Sequence, residues 1–434
     1  MAYPSLFTRR LPVVCLLMAL AGCSDFLRVT NHDVIDASTL NPRDAATIDV
    51  FARSAQTTFG AAYGELNRFA ALFTTEMQYV DTFEPESQFG VRSVSDLNAA
   101  NVGVWSSLSS ARVESDKVLL QLSGAESAAQ LNGARSAFFA GYSILLMAEA
   151  FCQGTLASVA SNEPGMPLTT QQLLDTAIAR FTKAIDVGTA ASRVLTGAQL
   201  TEAVNFTNAA RVGRARANLQ RGDKTAALTD ATAVPAGFTY SMLYVDDASN
   251  RFRLSNRLWM FTQTRGQLSV APAYRALTDS RITFLQPSQQ LPSITGAPLF
   301  AQQKFPAFNS PVRLASRLEA DYIAAEAQYP TTGPMLALIT SRRAAGGQPA
   351  YGGDTTPEAL LAELFDQRSR DFFLEGKRIG DLRRATDIYR NLALVKYMLP
   401  TGSVYFDRTA LGVVGAQTCL PLPQSEIANN PNFK

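Results

Sequence analysis

The chain has 434 residues, with 39 Lys or Arg, 37 Asp or Glu and one His. So balanced a charge supplies little of the attraction that nucleic acid or an anionic membrane surface requires, and neither is a favoured partner. A hydrophobic content of 47% suffices for one large core, and no low-complexity or Pro/Ser-rich linker divides the chain.

Export is read from the first residues. Arg9 and Arg10 precede an apolar run of 11 residues, 11–21, that ends in Leu20-Ala21-Gly22-Cys23. The run suits the core of a signal peptide and is too short for a permanent membrane span of roughly 20 residues. Small residues before a cysteine resemble the lipobox of bacterial lipoproteins, which implies a signal peptide over 1–22 and a lipid anchor on Cys23. Loss of Arg9 and Arg10 leaves 37 bases against 37 acids. Cys15 departs with the signal, so Cys152 and Cys419 remain as a candidate disulfide in an oxidising compartment.

After a polar tether over 23–43, residues 44–434 read as one mainly α domain. Apolar positions Val50, Phe51, Ala55, Phe59, Ala62, Leu66, Phe69, Leu72 and Phe73 recur at helical spacing and predict a first helix over 48–77, with Gly60 its candidate interruption. Further helices are predicted over 97–122 and 128–151, the latter carrying small residues at Ala134, Ala137, Gly141 and Ala148 that admit a close neighbour. Breakers Gly154, Pro164, Gly165 and Pro167 predict a long loop over 152–168, after which Thr169 or Thr170 caps another helix. Ala177, Phe181 and Ala184, then a second pair turning at Gly222-Asp223, have the spacing of tetratricopeptide-like helix pairs, placed over about 128–235.

The region 237–312 is aromatic and Pro-containing, and predicts irregular loops with short strands near 240–245 and 299–305. Helical pattern returns over 314–329, with Arg317, Glu319, Asp321 and Glu326 on the outer side. A helix after Pro334 closes at Gly346-Gly347. The next opens on Thr355-Thr356-Pro357-Glu358, a capping-box spacing from Thr355 to Glu358.

That last helix leads into Gln367-Arg368, Asp371-Phe372, Glu375-Gly376-Lys377-Arg378 and Asp381-Leu382-Arg383-Arg384. Acids and arginines at three- and four-residue spacing pair across helical turns, so the run is a solvated charged face or a structural network before it is a catalytic one. Here the chain resembles the SusD/RagB family of outer-membrane nutrient-uptake lipoproteins. Arg368, Asp371, Phe372, Glu375, Gly376, Arg378, Asp381, Leu382 and Arg384 match the family pattern, whereas Gln367 stands where Glu is usual and Ile379 where an aromatic is frequent. Cys23-Ser24-Asp25-Phe26-Leu27 and the closing 420–432 segment resemble the family's two ends, with His32 where proline is common.

The resemblance implies a SusD-like bundle of tetratricopeptide-like helix pairs supporting an irregular loop-rich region with a few short strands. It implies a lipid-anchored protein at the outer membrane that captures an oligosaccharide, or in some members a peptide, for a SusC-like TonB-dependent transporter. Sugar capture needs aromatic faces with polar edges. Candidates are Trp105 and Trp259, the only tryptophans, Tyr79 and Phe83 in a predicted loop, and Tyr274 with Arg275 in the irregular region; core packing is the alternative for each ring. No catalytic residue, cofactor or metal site is expected, because the chain lacks zinc-type cysteine spacing, a phosphate loop and a nucleophile elbow. A tetratricopeptide-like scaffold for outer-membrane assembly and a two-carboxylate glycoside hydrolase are the competing readings.

Overall fold

A computed structural model describes residues 44–122, 130–289, 293, 295–406 and 408–434. The signal segment 1–22, Cys23, His32 and the rest of the 23–43 tether lie outside the described residues. Contacts divide the chain at Thr47 and Ile48 into two units. In the first, Asp44 Oδ2 accepts the Thr47 amide at 3.2 Å; the second, Ile48–Lys434, carries the architecture below.

The fold is mainly α. Its longer helices are α1 (Ala45–Phe73), α2 (Ala99–Gln121), α3 (Leu131–Ala150), α4 (Thr170–Ala191), α5 (Gly197–Arg221), α6 (Lys224–Thr232), α7 (Arg317–Ala327), α8 (Thr332–Ala345), α9 (Pro357–Asp371) and α10 (Arg378–Asp387). Six short strands form three antiparallel pairs: β1 (Met77–Tyr79) with β5 (Leu268–Val270), β2 (Gln153–Thr155) with β3 (Pro167–Thr169), and β4 (Thr239–Met242) with β6 (Val312–Ser316). No helix among the described residues is long and apolar enough to cross a membrane.

Helix ends follow the local chemistry. Thr169 opens α4 with a reciprocal capping box to Gln172. Gly222 closes α5 at φ +89°, a left-handed conformation that glycine adopts without steric cost, and Asp223 caps α6 by accepting the Ala226 amide. At α9 the cap differs from expectation: Thr356 is the N-cap without a side-chain bond, and Asp354 Oδ1 accepts its amide at 2.9 Å instead.

Three further departures have physical causes. The α1 helix runs through Gly60 unbroken, because the missing side chain admits Met242 and the Gly60 carbonyl accepts the Tyr244 hydroxyl at 3.1 Å. The 152–168 segment is not wholly loop, since β2 and β3 pair within and beside it. The 299–305 run makes only an isolated bridge, Phe284 with Gln302.

Small residues set how closely the central helices approach. A Cβ on Gly141 of α3 would stand 2.8 Å from the Phe181 ring of α4, and one on Gly213 of α5 would stand 2.5 Å from the same ring. Phe181 thus fills a slot between two glycines, and α3 to α6 pack in succession, with α7 against α6 and α8 against α9. Around this slot Phe59, Phe138, Phe139, Tyr142 and Phe206 form one continuous buried cluster. Cys152 and Cys419 are joined by a disulfide with Cα atoms 5.2 Å apart, at the end of α3 and 267 residues distant in sequence.

The glycine slot predicts that Gly213→Leu lowers the unfolding free energy by about 1–3 kcal/mol through overpacking. Gly103→Ala, on the exposed side of α2 with nothing within 4 Å, raises it by about 0.4–1 kcal/mol. Urea denaturation of both variants reads the contrast.

Candidate functional site

The charged run at α9 and α10 is buried. Arg216 of α5 binds both oxygens of Glu149 on α3, at 2.5 and 2.7 Å, and reaches Glu319 of α7 at 3.4 Å. Lys377 approaches Glu319 at 2.9 Å and Arg368 lies 3.7 Å from it. Arg368 and Arg384 both bind Asp381 at 2.8 Å, and Arg384 also binds Glu326 at 2.7 Å. Four acids and four bases from α3, α5, α7, α9, α10 and the α9–α10 turn therefore form one ion lattice, each of the eight side chains no more than 4% exposed. This overturns the outward placement of Glu319 and Glu326, which face inward because their partners do, and it removes the solvated-face reading of the run.

The rest of the signature supports the same core. Asp371 accepts from Arg342 at 2.7 and 2.8 Å and from the Tyr322 hydroxyl at 2.6 Å, while Glu375 is held by Lys304 and Arg313. Gly376, at φ +65°, presses so closely on Asn67 of α1 that a Cβ would stand 2.0 Å from its Oδ1. Arg378 donates to the Thr74 and Lys396 carbonyls. Burial pushes the Asp381 carboxyl up, but Arg368 and Arg384 outweigh it and hold the group below the usual carboxylate range; Lys377, Arg216 and Arg368 do the same for Glu319. Burial lowers the Lys377 ammonium to about 8 against the pull of Glu319. Glu76 is the opposite case: burial raises it to about 7, Arg378 and the Leu374 amide only partly opposing.

The candidate ligand residues do not converge. Tyr79 and Tyr274 are fully buried, the first with its hydroxyl accepting the Phe83 amide, the second against Phe373 and Tyr397. Trp105, 1% exposed, packs edge-on to Phe151 and over Gly154. A ring without an exposed face cannot stack on a ligand, so these three belong to the core. Phe83 is 58% exposed, Trp259 is half-buried, and Arg275 lies 3.6 Å over the Phe300 ring. Phe83 lies in the loop as its last residue, the N-cap of the short helix Glu84–Gly90, and the neighbouring Thr82, Ser87, Gln88 and Ser93 are among the residues that line a polar cavity of about 450 Å³.

Trp259 belongs to a different and richer surface. Asn256 is stapled to the 308–310 segment, its amide donating to the Phe308 carbonyl at 2.7 Å and its side chain to the Ser310 carbonyl at 2.9 Å. The same side chain accepts the Trp259 amide, which sets Trp259 edge-on to Phe308 with ring centroids 6.3 Å apart. A π-helical turn, Met260–Thr264, follows directly, a local geometry often found where function is placed. Arg251 lies 4.5 Å over Phe308, and Arg257 lies 4.0 Å and Arg265 5.6 Å from the Phe252 ring, which is 55% exposed. An exposed ring edged by guanidinium donors can hold a planar or ring-shaped ligand without bond chemistry. The sequence reading missed Phe252, Phe308 and these arginines; four arginines within 251–265 were the available signal.

The fold defined by this bundle and its loop-rich surface is that of the SusD superfamily. A SusD homolog from Bacteroides thetaiotaomicron superposes with a TM-score of 0.68 over 93% of this chain and 99% of its own, at 11% identity. A SusD superfamily protein from Bacteroides vulgatus gives 0.61 over 91% and 98%, at 16% identity. A structure solved with a xylogluco-oligosaccharide gives 0.65 over 88% and 98%, at 13% identity. No family model and no curated protein matches the sequence.

Two predictions follow from the electrostatics. Asp381→Ala leaves the buried Arg368 guanidinium without its hydrogen-bonded acid, takes one of two acids from Arg384 and lowers stability by about 3–5 kcal/mol, whereas Arg53→Ala, which breaks an exposed pair with Asp49, costs under about 1 kcal/mol in the same denaturation assay. Glu76, raised above its unfolded value, contributes stability that is complete below 4.5 and is lost as pH rises through about 7. Glu76→Gln removes that loss: the variant exceeds the unsubstituted protein by on the order of 2–3 kcal/mol near pH 8, and the gap closes near pH 5.

Proposed function

We propose that this chain is a SusD/RagB-type lipoprotein that captures an oligosaccharide at the cell surface and delivers it to a SusC-like TonB-dependent outer-membrane transporter. The observation that carries the proposal is the likeness to SusD-fold structures across about nine-tenths of the chain and nearly all of theirs. The matched signature residues supply the interior of that bundle, which explains why such a pattern would recur with the fold. Sugar as the ligand is supported by the neighbour solved with a xylogluco-oligosaccharide and by the exposed Phe252 ring beside the half-buried Trp259 and Phe308 rings.

Export is supported by the Cys152–Cys419 disulfide, which persists in oxidising compartments, and by the 1–23 segment with its cysteine at the end of an apolar run. Anchoring through acyl chains on Cys23 would hold the body at the membrane without a spanning helix.

Mild-detergent purification of the full-length protein from its native membrane tests this. A large TonB-dependent barrel should co-purify, mass spectrometry should find lipid on Cys23, and Cys23→Ala should release the protein from the membrane. Recovery alone, or with assembly factors, overturns the uptake role. Trp259→Ala should leave the melting temperature within a few degrees and weaken oligosaccharide binding about tenfold.

A further inference from the structure

We infer that the surface built on Phe252, Trp259 and Phe308 selects oligosaccharides that carry negative charge, through carboxylate or sulfate groups. This rests on the oligosaccharide-capture reading of the same surface and specifies its ligand.

The chain as a whole is balanced, yet residues 246–265 hold four arginines, 251, 253, 257 and 265, against two acids, Asp246 and Asp247, an excess of two positive charges. Both acids are engaged. Asp246 binds Arg251 at 2.7 Å, and Asp247 accepts from the Ser249 amide and the Asn250 side chain within its own turn. Arg253 and Arg265 are exposed and make no ion pair among the described residues. Their forked donors are free for an anionic oxygen, which a guanidinium binds in two-point geometry.

Arg257 adds hydrogen-bond donors from below. It is 7% exposed and lies beneath Phe252, its Nε stands 3.6 Å from Glu65, and neither Nε nor Nη1 has a hydrogen-bond partner. Glu65 is already hydrogen-bonded by Arg68 at 2.7 Å. Arg68 is shared with Glu86 at 2.7 Å, so the two arginines and two acids balance in charge, and what Arg257 offers beneath the ring is its unpartnered donors. Phe252 then offers a face for a sugar ring, while the surrounding guanidinium groups favour one that bears a charge.

Isothermal titration calorimetry on the full-length protein in mild detergent tests the inference with three probes: an oligogalacturonate, a sulfated oligosaccharide and a neutral xylogluco-oligosaccharide. At least one charged probe should bind about tenfold or more tighter than the neutral one, and that preference should shrink at high salt. The double variant Arg253→Ala/Arg265→Ala should lose the preference with an unchanged melting temperature, and Arg253→Lys/Arg265→Lys should retain part of it. The carboxylate and sulfate arms tell the two sources of charge apart. A neutral probe that binds as tightly as both charged ones, or a preference untouched by the double alanine variant, overturns this inference and leaves oligosaccharide capture standing. Failure of all three probes to bind overturns this inference and the capture reading of the surface together.

Discussion

The buried ion lattice of Glu149, Arg216, Glu319, Glu326, Arg368, Lys377, Asp381 and Arg384 is the constraint on which the rest of the bundle depends. Each of these groups would be costly to bury alone, so none tolerates a displaced partner. The pairs cross between helices: α3 to α5, α5 to α7, α7 to α10 and α9 to α10. Apolar packing brings the helices together, but it accepts sliding and rotation more readily than a two-point contact of 2.5 and 2.7 Å does. The lattice therefore fixes register where the Phe181 slot fixes distance.

A rigid frame of this kind explains how the loop-rich surface can be irregular and still precise. The β4–β6 pair springs from the frame just before α7, and the Asn256 staple to Phe308 and Ser310 ties two segments some fifty residues apart in sequence. Side chains at the rim are then held by a few directed bonds rather than by regular structure. The excess of arginines sits on that rim, where loss or gain of a single side chain leaves the lattice untouched.

Most of the frame was legible from sequence because its signals are local. Thr169 with Gln172, Gly222 with Asp223 and the small-residue stripe at Gly141 announce caps, turns and close contacts within a few residues. The charged run was legible as a pattern but not as an interior. Helical periodicity assigns Glu319 and Glu326 outward on polarity alone, and partners as far as 103 and 58 positions away in the chain reverse the assignment. The aromatic candidates fared worst for the same reason. Tyr79, Trp105 and Tyr274 look like loop or helix-face rings until β5, Gly154 and Phe373 close over them, whereas Phe252 and Phe308 become a surface only through a long-range staple.

The chain order of the lattice has a consequence for biosynthesis. Glu149 and Arg216 emerge early from the ribosome, but Glu319, Arg368, Lys377 and Asp381 follow one to two hundred residues later, and Cys152 must wait 267 residues for Cys419. Until then Arg216 has Glu149 but lacks Glu319, and Cys152 lacks its partner, so the early helices can pack before the lattice is complete. The lattice is complete only with Arg368, Lys377, Asp381 and Arg384 in place. The final register of the bundle is therefore set by its C-terminal quarter, whichever helices pair first.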